Sequence, residues 1–111
     1  MATAVTNLHA IPRHGDGATR INVGRAEGGT ANNVIPEYAQ IDAEARGETT
    51  ELMEYVDAHA ERVVRAAAEM YDCEVDITRG SRAPSAESDT ALTALVADAA
   101  REVAGVTRAV R

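Results

Sequence analysis

The side chains that could carry chemistry are few, and they do not form a recognised catalytic pattern. The histidines are His9, His14 and His59, and the single cysteine is Cys73. A zinc site needs several His, Cys or carboxylate ligands that converge on one point. His9 and His14 flank Pro12 at a separation that is not a ligand spacing. We therefore expect no metal ligands, no cofactor and no catalytic residue within this chain.

Two of these residues have ordinary structural interpretations. His59 is expected on the surface of a helix, and Cys73 is expected to be a small core residue next to a strand. A single cysteine also cannot form an intrachain disulfide. His14 is different, because it lies in a glycine-containing loop between Arg13 and Arg20. A binding role for His14 stays open.

A glycine turn followed by Asn-Val-Ile-Pro, at residues 28–36, is the most distinctive segment. The amide of Asn33 could donate hydrogen bonds to, and accept them from, a bound amide or carboxylate. Pro36 would hold the entrance of the next strand rigid. Alternatively, Asn33 closes the turn in a positive-φ conformation. Spacing alone leaves both interpretations open.

The elements that must position these side chains follow from the spacing of the apolar residues. Strict alternation predicts antiparallel strands with one solvated face, and repeats of three or four residues predict amphipathic helices. The predicted elements are a short helix (2–11), strands (19–24 and 38–46), a long helix (about 50–71), a third strand (73–78), a linker (79–87) and a second long helix (88–104). This order predicts an α+β fold. It is a ferredoxin-like antiparallel sheet without its first strand, with the long helix packed on one face and a helix added at the C-terminus.

Composition restricts the class of protein further. The chain of 111 residues contains no Phe and no Trp, so one domain with a modest aliphatic core is expected. All eleven basic residues are Arg, against 18 acidic residues, which gives a net charge of −7. Such a surface suits a halophilic source, or it reflects a GC-rich genome. It also argues against nucleic-acid binding. No segment reads as a membrane span or a signal peptide, so a cytoplasmic protein is expected.

Several segments together resemble the dimerisation (lid) domain of the zinc-dependent exopeptidase and amidohydrolase family, which includes carboxypeptidase G, aminoacylases and aminobenzoyl-glutamate hydrolase. The segments that carry the resemblance are Ile21-Asn22-Val23-Gly24, Gly28-Gly29-Thr30, Asn33-Val34-Ile35-Pro36 and Glu44-Ala45-Arg46-Gly47. Two further segments, 8–24 and 66–71, look most like the aminobenzoyl-glutamate hydrolase branch.

The resemblance implies a dimeric two-domain enzyme whose binuclear zinc site lies in a separate catalytic domain. In such enzymes the smaller domain pairs with its twin and supplies substrate-binding groups, some of them across the dimer. By position, Asn33 and Arg46 match family residues that hold the substrate carboxylate. The planar guanidinium of an arginine can bind both oxygens of such a carboxylate. His14 is kept as a third candidate. The metal-binding motifs of the family are absent, so the chain alone is expected to be inactive.

The resemblance also predicts the domain organisation. Residues 1–79 are expected to be a partial dimerisation domain, and residues 80–111 a linker and the start of re-entry into a truncated catalytic domain. The expected function is homodimerisation and carboxylate binding within an amidohydrolase that cleaves N-acyl amino acids of the aminobenzoyl-glutamate kind. Two alternatives are a free-standing regulatory domain that binds a small molecule and a purely structural oligomerisation module.

Overall fold

The computed structural model describes residues 1–103 and residue 105. In chain order its elements are α1 (Ala2–His9), β1 (Thr19–Gly28), β2 (Ala39–Gly47), α2 (Thr50–Glu69) and α3 (Thr90–Arg101). The strands form a two-stranded antiparallel sheet, and α1 and α2 pack against it. The fold is therefore α+β, as the sequence predicted.

The hairpin of β1 and β2 is longer than the alternation in β1 indicated. Thr19 pairs with Gly47 at its base and Gly28 with Ala39 at its far end, and the register shifts between Val23 and Arg25. This shift is a β-bulge at Gly24. Beyond it, the even-numbered rather than the odd-numbered residues of β1 lie on the face that points towards the helices. The sequence pattern predicted a strand that stopped at the bulge, because simple alternation stops there.

Helix α2 begins where the sequence predicted and covers one face of the hairpin base. The Thr49 hydroxyl caps it by accepting a hydrogen bond from the Leu52 amide at 3.3 Å. Gly47 lies so close to this first turn that a side chain at its position would meet the backbone of Leu52 and Met53. The base of the hairpin and the start of α2 therefore form one rigid corner.

The core is small and lies where α1, α2 and the hairpin base meet. Leu8 and Val56 are only 1% and 2% exposed, and Ala4 and Leu52 are also buried. As predicted, the apolar stripe of α2 faces inward, although its C-terminal half is only half-buried. No helix among the described residues is long and apolar enough to cross a membrane.

The predicted third strand at 73–78 is wrong. This segment pairs with no strand, and Cys73 is exposed rather than part of the core. Residues 79–85 instead run back along α2, where Arg79 binds Asp57 and Glu61, and Arg82 binds Glu54. Alternating residues form a strand only when a partner strand is available, and the described residues supply none at this position.

Helix α3 also departs from the prediction. Asp89 caps it by accepting a hydrogen bond from the Leu92 amide at 2.7 Å. However, Leu92, Leu95 and Val96, which were expected to face inward, are 59–66% exposed. The predicted apolar face is therefore exposed, whereas Ala97, on another face of α3, is buried. The predicted end of this helix at residue 104 lies outside the described residues.

Candidate functional site

Arg46 lies at the base of the hairpin, on the sheet face that points away from the helices. Its side chain is 69% exposed and its guanidinium lies 2.7 Å from the Glu44 carboxylate, two residues back on the same face. The hydrogen bond to Glu44, more than the attraction between the two charges, raises the pKa of Arg46. The guanidinium is therefore both accessible to an anion and already oriented by an exposed partner.

Asn33 lies in the loop at the opposite end of the hairpin. The loop turns through a hydrogen bond from the Val34 amide to the Ala31 carbonyl at 3.3 Å. Asn33 does not have a positive φ; Gly29, at +87°, supplies that conformation instead. The interpretation of Asn33 as a positive-φ turn residue is therefore wrong, and its exposed amide stays available for binding.

One chain does not bring Asn33 and Arg46 together. Arg46 is seven residues along β2 from Ala39, where the loop begins. At roughly 3.3 Å per residue this separates Arg46 from the loop by roughly 23 Å. The resemblance matches both residues to ones that hold the substrate carboxylate, and within one chain they lie at opposite ends of the hairpin.

His14 lies at the base of the hairpin on the helix side. Its backbone amide donates to the Thr19 hydroxyl at 3.0 Å, and its ring Nδ1 accepts from the Asp16 amide at 3.2 Å. The ring packs edge-on against Tyr55, with centroids 4.8 Å apart, and Tyr55 in turn packs on His59 at 4.1 Å. These contacts fix the His14 ring in a half-buried position at the same end of the hairpin as Arg46.

Sequence reasoning did not select Arg20 as a site residue. Arg20 is the direct cross-strand partner of Arg46, so both side chains project from the same face. Arg20 also lines a cavity of about 300 Å³ between α1 and β1, together with His9, Arg13 and Asn22. Only the strand register reveals this proximity, because the two arginines are far apart in sequence.

The described residues do not form a metal site. No three His, Cys, Asp or Glu side chains among them are placed to hold one ion. His59, for example, uses its Nδ1 in a contact of 2.8 Å with the Tyr55 carbonyl within α2. The zinc that the resemblance implies therefore does not fit the residues described here, and we assign no chemical step to it.

Comparison with known proteins identifies the class. A sequence profile described as "Peptidase dimerisation domain" matches residues 1–72. The chain belongs to this family, which confirms the resemblance seen in its motifs.

Among curated relatives, the chain is 37% identical over 109 residues to the indole-3-acetyl-aspartic acid hydrolase of Enterobacter agglomerans. It is 34% identical over the same length to one subunit of the p-aminobenzoyl-glutamate hydrolase of Escherichia coli. In both comparisons 98% of this chain aligns with 25% of the relative. The chain thus spans about a quarter of the length of these proteins.

A solved structure agrees with the sequence comparisons. The aminobenzoyl-glutamate utilization protein from Klebsiella pneumoniae superposes with a TM-score of 0.90 and 36% identity. The match covers 96% of this chain and 27% of that protein. Both the α+β fold and its relation to this group of proteins are therefore shown.

Proposed function

We propose that this chain is the dimerisation and carboxylate-binding part of a zinc-dependent amidohydrolase that cleaves N-acyl amino acids of the aminobenzoyl-glutamate kind. The observation that carries the proposal is the alignment of nearly the whole chain with a quarter of two hydrolases. Their names specify N-acylated aspartate and glutamate as substrates. Hydrolysis would then depend on residues outside this chain.

The exposed guanidinium of Arg46 is the group proposed to hold the substrate carboxylate. Its planar fork can bind both oxygens of a carboxylate at once. Glu44 orients the guanidinium through this contact and would be displaced by an incoming anion. An exposed pair of this kind is a weak interaction, so its displacement is easily offset.

The separation of Asn33 from Arg46 supports a site shared between two protomers. In a two-fold dimer whose hairpins lie side by side, the strands run in opposite directions. The loop of one hairpin then lies beside the base of the other. This arrangement would bring Asn33 of one protomer close to Arg46 of its partner. Both residues can contact one substrate in such a homodimer, which one chain does not permit.

His14 and α3 have supporting roles in this proposal. His14, fixed against Tyr55 at the hairpin base, would contribute to the wall of the carboxylate site from the helix side. The exposed apolar face of α3, with Leu92, Leu95 and Val96, would pack on the catalytic domain. Residues 1–79 would then form the dimerisation domain, and residues from 80 onward would lead back to the catalytic domain.

The test is kinetic and uses the complete enzyme that contains this domain. Arg46→Lys keeps the charge but removes the fork, so KM for p-aminobenzoyl-glutamate should rise and kcat/KM should fall about ten- to a hundredfold. Arg25→Lys, on the same face of the hairpin and paired with Glu27 at 2.6 Å, is the matched control and should leave the kinetics unchanged.

Two outcomes would contradict the proposal. Wild-type kinetics for Arg46→Lys would restrict Arg46 to its surface pair with Glu44 and leave the domain a purely structural role. The second outcome concerns the 111-residue chain on its own, which should cleave no p-aminobenzoyl-glutamate in the presence of zinc. Cleavage by that chain would place the catalytic groups within it.

A further inference from the structure

Two arginines face each other across the strand ladder at the base of the hairpin. Arg20 and Arg46 are direct partners, so their Cβ atoms lie about 4.5–5.5 Å apart on one face. Like charges in this position destabilise a sheet. At another cross-strand pair on this face the two side chains have opposite charges, because Arg25 is opposite Asp42. The Arg20–Arg46 pair is an exception on this face, and the nearby Glu44 carboxylate binds Arg46 rather than Arg20.

The surroundings of Arg20 favour an anion. The other polar residues that line its cavity are His9, Arg13, Thr19 and Asn22, and none is acidic, although the protein carries a net charge of −7. Among the described residues, no carboxylate lies within ion-pairing distance of Arg20 or Arg13. Of the other described arginines, six are paired with a carboxylate and Arg62 is not.

We propose that Arg20 binds a second carboxylate of the substrate, with Arg46 binding the first. Within the substrates of the proposed function, Arg20 is then the residue that selects a dicarboxylic amino acid over a monocarboxylic one. The short aliphatic link between the two carboxylates of such an amino acid can span adjacent strands. This inference rests on the proposed function, since it needs Arg46 at the substrate.

The experiment compares two substrates of the same shape, p-aminobenzoyl-glutamate and p-aminobenzoyl-glutamine, in the complete enzyme. The second substrate replaces one carboxylate with a neutral amide. Arg20→Gln should lower kcat/KM for the glutamate conjugate about ten- to a hundredfold and leave the glutamine conjugate unchanged. Arg46→Gln should lower kcat/KM for both substrates, because both retain the carboxylate that it binds.

The outcomes separate this inference from the proposed function. If Arg46→Gln affects neither substrate, the proposed function fails and this inference fails with it. If Arg46→Gln lowers both but Arg20→Gln affects neither, or both equally, only the role of Arg20 is refuted. Arg25→Gln, on the same strand and face, is the control and should leave the substrate preference unchanged.

A measurement of stability excludes a merely structural effect. Removing one of two opposed like charges should leave the melting temperature of Arg20→Gln equal to or above that of the wild type. A lower melting temperature would mean that Arg20 supports the fold. In that case, a loss of activity on both substrates would overturn the proposal.

Discussion

Replacing Gly47 with alanine tests the corner between β2 and α2. The added Cβ would lie 2.6 Å from the carbonyl carbon of Leu52 and 2.7 Å from the Cα of Met53. These are main-chain atoms, so no side-chain rotation can relieve the overlap. Either the end of β2 or the first turn of α2 must move, and the Thr49 cap lies between them.

The cost of Gly47→Ala can be bounded from two opposing effects. Overpacking of this kind costs about 1–3 kcal/mol, and a clash with backbone belongs at the upper end of that range. Alanine also restricts the unfolded chain, which stabilises the protein by about 0.4–1 kcal/mol where the site accepts it. The net expectation is a loss of about 2 kcal/mol, which corresponds to a melting temperature lower by roughly 10 °C.

Thermal unfolding followed by circular dichroism, with urea unfolding as a second measurement, would determine this loss. Gly15→Ala is the matched control, because a Cβ at Gly15 meets no atom within 4 Å. This control should be neutral or slightly stabilising. If Gly47→Ala melts at the same temperature as the Gly15→Ala control, the close contact between β2 and α2 does not exist in solution.

Three further expectations concern the core, acid stability and salt. Leu8→Ala should cost about 2–5 kcal/mol in urea unfolding, whereas Leu92→Ala, at a position 59% exposed, should change stability by less than about 0.5 kcal/mol. Hydrogen bonds from Arg65 and then Arg79 lower the pKa of Glu61 from 4.5. The stability that ionised Glu61 contributes is therefore fully present above pH 4.5 and is lost as the pH falls through the lowered pKa. In Glu61→Gln, the midpoint of urea unfolding should fall less steeply with decreasing pH in this acidic range. At a net charge of −7, the melting temperature should rise as the Debye length falls from ~10 Å at 0.1 M salt to ~3 Å at 1 M; a flat profile would argue against halophilic adaptation.

Local patterns predicted the elements whose partners lie nearby in the chain. The alternation of β2 and the apolar stripe of α2 both correspond to observed elements, because the hairpin and the adjacent helix cover each other. The segment at 73–78 and the face of α3 have equally good patterns but no cover among the described residues. An apolar pattern indicates which face of an element is stabilised by burial, but it does not show whether another part of the protein covers that face.

The sequence suggested candidate site residues but not their arrangement. Asn33 came from the turn pattern and the resemblance, Arg46 came from the resemblance, and the structure places them at opposite ends of the hairpin. The pairing of Arg20 with Arg46 depends on the register, which the bulge at Gly24 and the length of the loop set together. Neither feature is visible from alternation alone.

The return of residues 79–85 along α2 has a mechanical consequence. Ser85 is held by Thr50, with the Ser85 amide 2.9 Å from the Thr50 hydroxyl, so the chain leaves the domain beside the hairpin base. If α3 is anchored elsewhere, the domain pivots about this point, and Arg46 lies near the pivot. The loop that contains Asn33 lies at the end of a lever roughly 23 Å long, so a rotation of about 10° would displace it by roughly 4 Å. Arg46 would stay almost fixed during such a swing, while Asn33 would move by the full displacement.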